Sequence, residues 1–128
     1  MSVELQLLVC AVALTLIQVV VAVVGSITQV GMPPLMGNRQ GLTEFTGWVG
    51  RAHRAHRNML ESLVLFAILV LTAHAAGRED ATTALGAQVF LWARLAFAVI
   101  YIAGIPYLRT VAWAVALGGM LLIFKQVI

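Results

Sequence analysis

The sequence predicts an all-α integral membrane protein, with four helices crossing the bilayer as an up-down bundle, and three observations carry that expectation. Of 128 residues, 62% are hydrophobic and 10% charged, with a mean hydropathy of +0.99; soluble domains carry about 25% charged residues. A chain this short cannot hide so much apolar surface inside a soluble fold, because small domains bury only part of what they expose unfolded. The apolar residues also fall into four continuous runs, none alternating with period two, which selects helices over barrel strands.

Taken in order, the first run extends from Leu5 to about Gly25 without a charge, long enough for the roughly 20 residues that cross a bilayer core. It follows an acidic start, Met-Ser-Val-Glu, and its core is too long for a signal peptide, so it is expected to be retained. The second run, from Met59 to Ala76, is interrupted by Glu61 and His74, and the third, from Ala81 to Ala103, carries Arg94 near its middle. The last begins after Pro106, a residue suited to a helix's first turn because its missing N–H costs nothing there. The expected helices cover about 4–29, 51–76, 80–104 and 106–126 in a single domain spanning 1–128, with a polar loop over about 31–50. Short connections at Gly77–Asp80 and Gly104–Ile105 make consecutive helices antiparallel neighbours. In the last helix, the Ala112/Ala116 and Ala114/Gly118 spacings predict close helix contacts, within the chain or between copies of it.

The charges are few and clustered. Arg39, Arg51, Arg54, Arg57 and Arg109 fall on the long-loop side, against Glu44 and Glu61, whereas Glu4, Arg78, Glu79, Asp80 and Lys125 nearly balance on the other. The positive-inside rule then makes the long loop cytoplasmic and puts both termini outside. Cys10 has no partner for a disulfide and no basic neighbour to make it reactive. Three histidines without cysteine ligands or a shared face predict no metal site. No nucleotide loop, hydrolytic triad or nucleic-acid-binding feature is present.

The chemistry lies in Arg51-Ala-His-Arg-Ala-His-Arg-Asn-Met-Leu-Glu61. On a helix at about 100° per residue, Asn58 lies about +40°, Glu61 about −20°, Arg51 about +60° and Arg57 about −60° from Arg54. These five share one face, while His53 and His56 point elsewhere. Arg94 is the costliest residue in the chain, since a charge at the bilayer centre costs about 2.5–3.5 kcal/mol on insertion scales and marks a functional site by default. Tyr101 lies two turns further on the same face, so the two helices can oppose their polar stripes near a basic mouth completed by Arg109. Each feature also has a plainer reading: arginines as headgroup anchors, and Glu61 or Arg94 as half of a structural ion pair. A cationic, half-buried cavity with an amide, a carboxylate and a phenol suits a ligand bearing two carboxylates and an ammonium group. A thiol beside such an arginine would ionise more easily, and the thiolate is the nucleophile. Apolar walls beside lipid would admit a greasy electrophile.

Arg54-Ala-His-Arg-Asn58-Met-Leu-Glu61 resembles the Arg-Ala-x-x-Asn-x-x-Glu signature of the MAPEG family, the membrane-associated proteins in eicosanoid and glutathione metabolism, and Arg94 with Tyr101 looks like a second family motif. Length, four-span layout and motif positions agree over nearly the whole chain, most closely with bacterial members. The resemblance implies a homotrimer in a bacterial inner membrane, with glutathione as co-substrate bound between subunits and a lipophilic second substrate. It implies glutathione contacts from Arg54, Asn58, Glu61, Arg94 and Tyr101, with Arg51, His56 and Arg57 at the entrance or reaching from a second subunit. Arg109 looks like the family's thiolate-stabilising arginine, with Arg94 assisting. The implied activity is a glutathione transferase, with peroxidase activity as a companion. The first helix ends without the basic residue that the eukaryotic enzymes carry there; Ser62, Phe97 and Gly50 also depart from common family choices. The alternative reading is a non-catalytic member of the same fold binding an anionic lipid or metabolite. A small multidrug transporter fits less well, because a cation exporter would not line its path with arginines.

Overall fold

The computed structural model describes residues 1–42 and 44–128. Its elements are α1 (Val3–Val30), α2 (Met32–Met36), α3 (Gly47–Ala75), α4 (Ala81–Ala103) and α5 (Leu108–Val127). All but α2 are long and apolar enough to cross a membrane.

Local chemistry sets most of the boundaries. Ser2 caps α1, its hydroxyl accepting from the Leu5 N–H at 3.3 Å, and Glu4 in the first turn complements the helix dipole. Gly31, at φ 79°, stops α1 in a conformation that favours glycine. Asp80 and Thr83 form a reciprocal capping box at the start of α4, and Gly104 closes that helix in the left-handed region.

Three boundaries differ from the sequence expectation, each for a physical reason. The segment expected as loop contains the one-turn α2, begun by Pro33 and Pro34 with preset helical φ. α3 starts at Gly47, because the Gln29 amide clamps Thr46, donating to its carbonyl at 2.7 Å and accepting from its N–H at 3.3 Å. The last helix begins at Leu108 and leaves Pro106 outside. Tyr107, at φ 65° and ψ −50°, forms a γ-turn in which the Leu108 N–H meets the Pro106 carbonyl at 2.7 Å.

The bundle runs up, down, up, down through α1, α3, α4 and α5. α1 and α4 are therefore parallel, and their N-termini are joined where the Ser2 hydroxyl donates to Glu79 Oε2 at 2.6 Å. His74 Nδ1 lies 3.0 Å from Glu79 Oε1, giving a partner to a histidine that had none in the sequence. The Ser2 hydroxyl first, and His74 after it, hold the Glu79 carboxyl below the usual carboxylate range.

The core combines small residues of α1, α4 and α5 with large ones of α3, α4 and α5. Ala11, Ala87 and Ala116 let backbones approach, while Met59, Phe66, Phe90 and Ile123 fill the space. Phe66 and Phe90 stack with centroids 4.0 Å apart. Without a hydrophobic force between helices in lipid, this close packing is what holds the bundle. α4 and α5 form its most extensive pair, meeting at Gly86 and Gly119. A Cβ on Gly86 would lie 2.5 Å from the Gly119 carbonyl oxygen, and one on Gly119 would lie 2.6 Å from that of Gly86. Of the two expected small-residue seams on α5, Ala112 and Ala116 are buried. Gly118 faces open space, so the Ala114/Gly118 spacing is not a contact within the chain.

Candidate functional site

The site assembles at the loop end of the bundle, where α3, α4 and α5 each supply polar residues. Arg94 is fully buried, and its guanidinium Nη1 donates to Asn58 Oδ1 at 2.8 Å. The same guanidinium lies over the Phe97 ring at 4.2 Å. Its Nε and Nη2 find no protein partner among the described residues. A buried cation held by one amide and one aromatic face is thus left with two unspent donors, an arrangement that calls for a further acceptor.

Two turns toward the loop, Tyr101 is the hub. Arg54 Nε donates to its hydroxyl oxygen at 3.3 Å, and the Arg109 guanidinium lies over its ring at 4.5 Å. Phe97 leans on Tyr101 with centroids 5.4 Å apart. Arg94, Phe97, Tyr101 and Arg109 therefore form a chain in which two rings, tilted 56° to each other, join two cations, each cation–ring link worth about 0.5–2 kcal/mol. Phe97 is the link that joins the two arginines. A cavity of about 210 Å³ lies beside this chain, lined by Asn58, Phe97, Tyr101, Arg109, Thr110 and Trp113. Thr110 and Trp113 follow Arg109 by one residue and by one turn on α5; no motif in the sequence pointed to either.

A second cavity, about 240 Å³, opens on the loop side of Arg54, where Arg54, Arg57, His53 and Arg39 face Glu44 and Phe45. Phe45 stacks on His53 at 4.6 Å, and the other edge of His53 lies 2.6 Å from Ser26 Oγ. Ser26 already gives its proton to the Ala22 carbonyl, so the His53 nitrogen facing it is the donor. Gly50 allows the loop to fold back this closely. A Cβ there would collide with the Phe45 carbonyl and crowd Arg54.

The remaining candidates are placed as follows. Arg51 donates from Nε to the Ile102 carbonyl at 2.9 Å and so helps cap α4. Arg54 and Arg57 keep exposed heads, and His56 is half-buried with Nδ1 unpartnered. Glu61 is exposed on the outer side of α3 and pairs with no arginine among the described residues. The expected opposition of two polar stripes thus occurs at Asn58–Arg94 and Arg54–Tyr101, while Glu61 lies apart from both pairs.

Four membrane-crossing helices closing on a buried arginine describe a polytopic membrane protein. The model of the MAPEG family matches residues 5–128, and the chain belongs to that family. No curated protein and no solved structure matches it.

Proposed function

We propose that the chain is a membrane-bound glutathione-dependent transferase, with peroxidase activity as a companion, that activates the glutathione thiol for attack on lipophilic electrophiles. The observation that carries this reading is the cavity where Asn58, Tyr101 and Arg109, from three helices, meet beside Phe97 and Trp113, with Arg54 bonded to Tyr101 and Arg94 to Asn58 behind it. The donor set fits the tripeptide. Two exposed guanidinium groups, Arg54 and Arg57, suit carboxylates.

The residues then divide the work. Arg54 and Arg57, with His56 at the rim, hold carboxylates; Asn58 fixes Arg94; Tyr101 steers Arg54 and Arg109. Arg109 favours the charged form of a thiol whose ordinary pKa is about 8.5. The thiol proton leaves to water, and the thiolate attacks an electrophilic carbon resting against Phe97 and Trp113, the carbon–sulfur bond forming as the carbon's bond to its leaving group breaks and that group departs to water with the electron pair. Glu61 is an acceptor for the ligand's ammonium group. Its exposed place on a membrane-crossing helix is unfavourable against lipid, which supports an assembly of copies that covers it, and the family resemblance makes that assembly a trimer with the site completed between subunits. The basic loop end faces the cytoplasm of a bacterial inner membrane in this reading.

The test is an ultraviolet difference spectrum of the detergent-solubilised protein as glutathione is added at neutral pH. A saturable thiolate band is expected. Its absence at millimolar glutathione would overturn the reading and leave a non-catalytic anion binder, favoured by the lack of a basic residue in the last turn of α1.

A further inference from the structure

Gln18, in the middle of α1, is 4% exposed, and neither its amide oxygen nor its amide nitrogen meets a partner among the described residues. The hydroxyls of Thr15 and Ser26, on the same buried face, turn back to carbonyls of their own helix, at Ala11 and Ala22. Neither polar atom of Gln18 is satisfied in that way, and a buried amide without partners is strongly unfavourable. Arg94 presents the matching want, with Nε and Nη2 unpartnered at 1% exposure.

Two independent measures bring these residues together. α1 and α4 run parallel from caps joined through the Ser2–Glu79 hydrogen bond. Gln18 lies sixteen residues beyond Ser2 and Arg94 fourteen beyond Asp80, about 24 Å and about 21 Å at the helical rise, so their depths agree within about one turn. Their directions agree as well. Gln18 is seven residues past Ala11 and Arg94 seven past Ala87, two turns along the same face in each helix. Ala11 and Ala87 are both fully buried in one core cluster.

We propose that Gln18 is a positioning residue for Arg94. Its amide oxygen accepts from the free Nε–Nη2 edge, directly or across one water, while Asn58 accepts from Nη1. The guanidinium plane is then fixed between α1 and α3, and its tilt over Phe97 is set from the side opposite the cavity. The benefit to glutathione binding rests on the function proposed above, whereas the contact itself does not.

A double-mutant cycle in detergent tests the contact. Gln18→Met is expected to lower Tm by about 3–6 °C when Arg94 is present and to leave it unchanged or raise it in the Arg94→Met background. Gln18→Glu, which replaces a neutral acceptor with a charged one, should hold or raise Tm beside Arg94 and lower it in the Arg94→Met background, where the cation is gone. That change of sign is not produced by a residue that merely fills space. Should Arg94→Met fail to fold, the slowly exchanging Nε–H resonance of Arg94 supplies the readout, and it should move in both Gln18→Met and Gln18→Glu. Equal Tm shifts in both backgrounds, or an unmoved Nε–H resonance, would overturn the proposal. Coupling without a glutathione thiolate band would keep the contact and reject the transferase.

Discussion

Arg109→Leu is expected to remove the glutathione thiolate band and to lower thiol-dependent turnover by about 10²–10³-fold, the loss typical of deleting one preorganised group that stabilises developing charge. The expectation follows from how little else Arg109 does. It is half-buried, lies over the Tyr101 ring at 4.5 Å, and makes no hydrogen bond or ion pair to another side chain among the described residues. Leucine therefore strands no buried carboxylate, and the fold loses only a cation–ring contact worth about 0.5–2 kcal/mol. Stopped-flow measurement of thiolate formation, alongside Tm, separates the two effects. Lysine keeps the charge but not the planar fork, so Arg109→Lys should retain part of the band. Full turnover in Arg109→Leu would remove the arginine from the chemistry and with it the assigned mechanism.

The second large effect concerns the fold. Gly86→Val is expected to prevent stable assembly of the bundle, and Gly86→Ala to cost about 1–3 kcal/mol through overpacking. The new Cβ would meet the Gly119 carbonyl at 2.5 Å, Ile123 Cγ1 at 3.0 Å and Leu122 Cβ at 3.1 Å. The first of these is backbone and cannot swing aside, so α4 and α5 must separate along their whole seam. Gly118→Val is the internal control, because a Cβ there meets nothing within 4 Å. Thermal denaturation of the three variants, followed by tryptophan fluorescence, should leave Gly118→Val near wild type. Similar Tm values for valine at 86 and at 118 would contradict the close approach.

That pair of glycines also marks where sequence reading stops. Continuous apolar runs revealed four helices, because lipid allows no other backbone solution for such segments. The Asn58–Arg94 and Arg54–Tyr101 pairings were legible because polar residues on otherwise apolar faces have few places to go. α5 is apolar on every side, so its pattern does not say which of Gly118 and Gly119 faces α4. The γ-turn at Tyr107 was hidden for a related reason. Proline is equally at home in the first turn of a helix and just ahead of it, and only the Leu108–Pro106 hydrogen bond decides. Gln18 carries no charge and belongs to no motif, and its interest arises only once its burial beside the level of Arg94 is known. His53, expected to point away from the arginine face, instead lines the loop-side cavity with Arg54 and Arg57, because Ser26 and the stacked Phe45 ring hold it there.

The helices are also of unequal length. α3 has 29 residues and α5 has 20, about 44 Å and about 30 Å at the helical rise, against a hydrocarbon core of about 30 Å. α5 is thus consumed in crossing, while α3 has about two and a half turns to spare. If the excess stands at the loop end, Arg51, Arg54 and Arg57 stand in a wet rim where mobile ions reach them, at a Debye length of about 8–10 Å. Arg94, fully buried two turns below Tyr101, is shielded from those ions. Raising the ionic strength should then slow the encounter with an anionic co-substrate and leave the rate at saturation nearly constant, so that salt acts on capture and not on the chemical step.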